Sequence, residues 1–161
     1  MYAVSMTVRV NPPDAPVRLT HDQVWRGLVM KAEYSVPFVP GQIRCDIVER
    51  LPDGGFWREV QMGAHSLRER ISFAAPVQVM FERPADSPNA GWITNVISEM
   101  DGELLLTFTI ASRFRGTEEG SPEEAAAGLK MRDTYQMAIA ATLARVRELA
   151  MTDGLSAKRS A

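Results

Sequence analysis

Residues 4–10 alternate strictly, with Val4, Met6, Val8 and Val10 on one side and Ser5, Thr7 and Arg9 on the other. That period of two is the mark of a half-buried strand. A proline-rich stretch, 11–19, ends it. Thr20 then stands as an N-cap with Gln23 three residues on, a capping box opening a helix whose apolar stripe is Val24, Trp25, Leu28 and Val29. Pro37 and Pro40 restrict the next segment to a short helical turn or an extended loop. Short helices are therefore expected between the first strand and the second.

From residue 43 the period returns to two. Strands 43–51 and 56–62 flank the turn Pro52-Asp53-Gly54-Gly55. Pairing Leu51 with Phe56 sets Ile47 opposite Val60, Cys45 opposite Met62 and Glu49 opposite Arg58. A second turn over 63–66 pairs Met62 with Leu67, Phe56 with Phe73 and Glu59 with Arg70. The two turns agree on which side faces inward, and a slip of one residue would destroy that agreement. A strand over 77–83 follows Pro76, with its inward side left open by the unclear turn length. The last hairpin joins 92–100 to 103–114 through Asp101-Gly102, a strong two-residue turn signal. Its register places Ile93 opposite Ile110, Asn95 opposite Phe108 and Ile97 opposite Leu106, all inward.

One long amphipathic stretch remains. Ser121 caps it, Pro122 takes the first helical position and Glu124 lies three residues past the cap. A helix from 122 to 150 would run roughly 43 Å at a rise of ~1.5 Å per residue. Coming after the hairpins, it must cover the apolar face of an antiparallel sheet, because no later segment can. Gly128, Met131, Tyr135, Ala138, Thr142 and Leu149 share its broad face. A single domain over 1–151 is expected, with 152–161 as a flexible tail.

Composition narrows the function classes. A net charge of −2 argues against non-specific nucleic-acid binding. A single cysteine, Cys45, excludes an intrachain disulfide and suits a reducing, cytoplasmic setting. No window reaches the ~20 apolar residues of a membrane span, and residues 1–11 lack the apolar run of a signal peptide. Neither His21 nor His65 has partners at metal-ligand spacing, so no metal or other cofactor is expected. Nine methionines, among them Met6, Met62, Met80, Met131 and Met137 inside elements, read as core filler or as the lining of an adaptable pocket.

The segments DGGFWREVQMG (53–63), LRERISFAAPVQVMFER (67–83) and WITNVISEMDGELLLTFTI (92–110) are similar to the AtaL-like branch of the SRPBCC (START-like) superfamily. That superfamily includes pathogenesis-related plant allergens, polyketide cyclases and lipid-transfer domains, and the resemblance runs over roughly 3–151. It implies an α+β helix-grip fold: a curved seven-stranded antiparallel sheet wrapped around the long C-terminal helix, with a ligand pocket between them. The chain departs from the plant allergens in having only the tight 52–55 turn where they carry a longer glycine-rich loop. It also has no cyclase-type acid/base signature transferable residue by residue.

The candidate chemistry is an inward charge cluster. Arg58 faces Glu49 directly and Glu69 diagonally, which is self-consistent because buried charges need partners. Either the three meet water at the rim of the sheet, or Arg58 anchors a ligand carboxylate or enolate beside a glutamate acting as acid or base. Asn95, among apolar neighbours, either orients a ligand carbonyl or satisfies a buried backbone group. Tyr135 needs a partner for its phenol, and Gly128 signals close packing or room for a guest. Together Glu49, Arg58, Glu69, Asn95, Phe108, Met131 and Tyr135 outline a site for a small hydrophobic or amphipathic molecule. The alternatives are a cyclase or dehydratase using Glu49 or Glu69 with Arg58, and an interaction module whose outward face includes Trp57. A homodimer stays open.

Overall fold

The computed structural model describes residues 1–87, 90–152 and 154–155. Its elements in chain order are β1 (Tyr2–Arg9), α1 (His21–Glu33), β2 (Gln42–Arg50), β3 (Phe56–Met62), β4 (His65–Ala74), β5 (Gln78–Arg83), β6 (Gly91–Met100), β7 (Glu103–Ser112) and α2 (Pro122–Met151). The seven strands form one antiparallel sheet in the order β1-β7-β6-β5-β4-β3-β2. One helix, not several, lies between β1 and β2; residues 36–40 form turns instead. The two prolines supply the reason, since each removes a backbone donor and bars the residue before it from helical geometry.

The β6–β7 hairpin has the register expected from Asp101-Gly102, with Ile93 on Ile110, Asn95 on Phe108 and Ile97 on Leu106. Both turn residues have positive φ, 53° and 77°, as a type I′ turn requires. The other hairpins shift along the strands, and β3 and β4 keep their inward faces while the end of β2 does not. Gly63-Ala64 alone turns the chain between β3 and β4, so Met62 pairs with His65, Phe56 with Ile71 and Val60 with Leu67. That is a shift of two residues, and a shift of two leaves each side chain on its own face. Between β2 and β3, Arg50 pairs with Phe56, and a bulge lies between Ile47 and Glu49. Ile47 pairs with Arg58, while Glu49 pairs with Trp57 on the outer face. Strand β5 settles the side left open: Val79 and Phe81 are buried, which puts Arg83 on the inner face with them.

α2 lies across the inner face as a lid. Ser121 Oγ accepts from the Glu124 amide at 3.1 Å, and the Glu124 carboxylate accepts from the Gly120 amide at 2.8 Å, a capping box reaching one residue further back than the usual form. Its buried stripe includes Gly128, Ala138, Thr142 and Leu149 as expected, together with Ile139, Leu143 and Val146. Met137 is 63% exposed and Met80 lies on the outer face between Ser72 and Thr94, so neither is core. The packed region continues past the helix, where Leu155 is buried and its carbonyl accepts from Arg26 Nη1 at 2.9 Å. The rest of the expected tail, 153 and 156–161, lies outside the described residues. Among the described residues no helix is long and apolar enough to cross a membrane.

Two glycines allow close approach. A Cβ on Gly128 would stand 2.3 Å from the Tyr2 ring, so the glycine serves packing and not guest space. A Cβ on Gly27 would stand 2.3 Å from Val146 Cγ2, where α1 meets α2. Gly27→Ala should therefore lose roughly 1 kcal/mol or more by overpacking, despite the better helix propensity of alanine. Urea denaturation checks this. In the Gly27→Ala/Val146→Ala double variant the loss should fall short of the sum of the two singles; simple additivity would disprove the contact.

Candidate functional site

Adjacent strands bring three charges into one row. Arg58 on β3 pairs with Glu69 on β4 in register, and Arg83 on β5 lies alongside because Arg70 pairs with Glu82 one step away. Arg58 Nε and Nη2 donate to Glu69 Oε2 at 3.0 and 2.7 Å, and Arg83 Nε donates to Oε1 at 3.1 Å. Arg83 Nη2 in turn donates to the Tyr135 hydroxyl at 3.1 Å, tying β5 to α2. Arg58 and Glu69 are 5% and 2% exposed, which excludes a hydrated rim. Burial pushes the Glu69 carboxyl up, but the charges and hydrogen bonds of Arg58 and Arg83 outweigh it and hold the carboxyl at about 2.

Arg58 does a second job. Its Nη1 donates to the carbonyls of Lys31 and Ala32 at 3.0 and 2.8 Å and to Ser35 Oγ at 3.2 Å. Those carbonyls belong to the last turn of α1, where carbonyls lack intrahelical donors and the helix dipole favours a cation. The guanidinium stacks 4.9 Å from the Phe81 ring. With this many partners Arg58 clamps α1 to the sheet while lining the cavity.

Above Phe81 and Phe108 sits an amine that the sequence reading missed. Lys31 Nζ lies 5.0 and 4.5 Å from the two ring centroids and donates to Asn95 Oδ1 at 2.7 Å. Burial, with the Arg58 charge added and Glu69 opposing, lowers it from 10.5 to about 7. Its place was legible: Lys31 follows Val24 and Leu28 at helical spacing on the buried face of α1. Arg83 was hidden by the undecided face of β5. Asn95 is fully buried, and its Nδ2 has no partner among the described residues.

A cavity of about 120 Å³ lies between sheet and α2, lined by Lys31, Arg58, Glu69, Arg83, Phe108 and Tyr135 together with aliphatic side chains such as Val60 and Ile93. An outer cleft of about 340 Å³ shares Met62, Leu67, Arg83, Thr134 and Tyr135 with it and includes Met131. Of the expected site residues, Arg58, Glu69, Phe108 and Tyr135 line the cavity, Met131 lines the cleft, and Asn95 stands behind Lys31. Glu49, expected opposite Arg58, lies outside the cavity. The bulge turns it outward, where it is exposed and 3.8 Å from Arg68. Glu69, by contrast, lines the cavity as a carboxylate held between two guanidiniums. Trp57 lies on the outer face, under Arg68 at 4.9 Å and away from the cavity. Among the described residues no group of three side chains could hold a metal ion.

The family model described as acetylaranotin biosynthesis cluster protein L matches residues 4–153. The chain belongs to the AtaL family. Solved structures similar to this AtaL-family chain include a START superfamily protein from Mycobacterium smegmatis, with TM-score 0.65 and 17% identity over 91% of this chain and 98% of that one. The Zhui aromatase/cyclase from a Streptomyces species matches at TM-score 0.62 and 17% identity, over 92% of this chain and 95% of that one. Ara h 8.0201 matches at TM-score 0.60 and 13% identity, over 91% of this chain and 98% of that one. At such identities the likeness shows a shared fold, the helix grip, and no more. No curated protein matches the chain by sequence.

Glu69→Gln would leave two buried guanidiniums facing each other across a neutral amide. It should cost about 3–5 kcal/mol in denaturant unfolding, the usual result of breaking a buried pair from one side. Because the folded carboxyl titrates near 2 and the free one near 4.5, the anion's contribution is complete above 4.5 and fades as pH falls toward 2. The gap between wild type and variant should therefore narrow over that window; a constant gap would contradict the network.

Proposed function

We propose that the chain binds a small, largely apolar molecule carrying one acidic or enolic oxygen, held in the cavity between the sheet and α2. One observation carries this reading: an apolar cavity of about 120 Å³ is lined by two guanidiniums, Arg58 and Arg83, and the Lys31 amine against a single carboxylate, Glu69. The surplus of positive charge in a desolvated wall favours an anion or a developing one. Volume sets the scale, since a cavity of ~150 Å³ lined by apolar side chains takes up benzene. At about 120 Å³ this cavity is smaller than that, so a single ring would fill it and any remainder would extend past Arg83 and Tyr135 into the outer cleft.

Energetics explain why the polar end is needed. Burying roughly 150 Å² of apolar ligand surface at ~25 cal/mol per Å² yields about 4 kcal/mol, a millimolar affinity by itself. A charge-assisted hydrogen bond adds about 1.5–3 kcal/mol and separates acids from neutral isosteres. The relation to an aromatase/cyclase in fold, and a family named for a biosynthesis cluster, agree with a small-molecule ligand.

Arg83, shared by cavity and cleft, is the residue to change. Arg83→Met should weaken benzoate binding about tenfold while leaving benzyl alcohol within about twofold, as expected for loss of one charged hydrogen bond. Titrations followed by NMR chemical shift read both. Equal losses for the two ligands would remove the charge-recognition reading.

A further inference from the structure

We propose that the Lys31 amine is a nucleophile that forms an imine with the carbonyl of an aldehyde or ketone admitted to the cavity. The inference rests on the reading that the cavity accepts small molecules, and it adds a covalent step that simple binding does not need. Two observations place the chemistry, and a third concerns the amide that holds the amine. Lys31 lines the cavity, with Nζ over the faces of Phe81 and Phe108, so a planar carbonyl compound lying against those rings meets the amine. Nζ is fixed by a 2.7 Å hydrogen bond to Asn95 Oδ1 and not by a carboxylate, and an amine without an anionic partner gains least by staying protonated. The other half of that same amide, Asn95 Nδ2, is a buried donor without a partner among the described residues.

Asn95 stands behind Lys31 and does not line the cavity, so its amide fixes the position of the amine rather than that of the incoming oxygen. The Nζ lone pair bonds to the carbonyl carbon and the π pair moves to oxygen. One amine proton passes to that oxygen to give a carbinolamine. Loss of hydroxide with a proton, as water, then gives the carbon–nitrogen double bond, which is an iminium when protonated. No oxidant or reductant takes part.

The titratable groups sharing the cavity with Lys31 are Arg58 from β3, Glu69 from β4, Arg83 from β5 and the Tyr135 phenol from α2, while β7 contributes only Phe108. Arg58 lowers the amine and Glu69 raises it, but burial dominates and leaves it near 7. A lysine of ordinary pKa ~10.4 is neutral in about one molecule in 2,500 at pH 7, so the neutral fraction at Lys31 is about a thousandfold larger.

The test is reductive trapping of the full chain with benzaldehyde and cyanoborohydride at pH 7, read by peptide mapping. The sequence has two other lysines, Lys130 and Lys158, as internal references. Labelling of Lys31 should exceed that of Lys130, an exposed position on α2, by about tenfold or more, and should rise with pH through 7. Lys31→Met should abolish cavity labelling while thermal unfolding confirms that the variant folds. If it does not fold, the wild-type map and its pH profile decide alone. Equal labelling of the lysines, or labelling that rises only above pH 9, overturns the proposal. Benzyl alcohol is titrated in parallel. Binding of the alcohol without trapping at Lys31 sinks the imine and leaves the cavity reading standing; failure of both sinks both.

Discussion

A guanidinium taken out of water on the inner face of β3 is the constraint on which the rest of this molecule depends. Arg58 has no solvent to fall back on, so its donors must find protein acceptors. They find Glu69 on the next strand and the terminal carbonyls of α1. One side chain thereby sets the pairing of β3 with β4, the resting place of α1 against the sheet, and the ionised state of Glu69. Arg83 extends the row and passes the tie to α2 through Tyr135. Both helices are thus held to the sheet by polar contacts, while Ile139, Leu143 and Val146 are buried further along α2.

Chemical asymmetry follows from this division. The cavity lies where long polar side chains span the gap between the sheet and α2. Its wall contains an anion locked by two guanidiniums and an amine that burial drives toward neutrality. In water those two groups would be an ordinary carboxylate and an ordinary ammonium. Here the carboxylate is too well satisfied to accept a proton, and the amine is the group whose charge state is free to change near neutral pH.

The sequence disclosed the fold more readily than the site. Strict alternation in 4–10, the Asp101-Gly102 turn and the Ser121 cap each encode local geometry, and each element came out where its residues put it. The inward placement of Arg58, Glu69 and Asn95 followed from alternation alone. Glu49 was misplaced because a bulge inserts a residue, and nothing in the run from Asp46 to Arg50 distinguishes a regular strand from a bulged one. The tertiary partners were out of reach for another reason. That Arg58 caps α1 depends on how a helix docks, and docking is decided by the whole core. Lys31 sat in plain view on the apolar stripe of α1, where a lysine conflicts with its surroundings, and such local conflicts mark candidate functional positions.

A crystal of the chain soaked with 4-bromobenzoate would test the central claim most directly, because anomalous scattering locates the bromine independently of the carboxylate. The account requires the ring inside the cavity, beneath α2, with the carboxylate within hydrogen-bonding distance of Lys31 Nζ or the Arg83 guanidinium. An empty cavity at saturating ligand, or a ring bound with its carboxylate turned away from both cations, would contradict it.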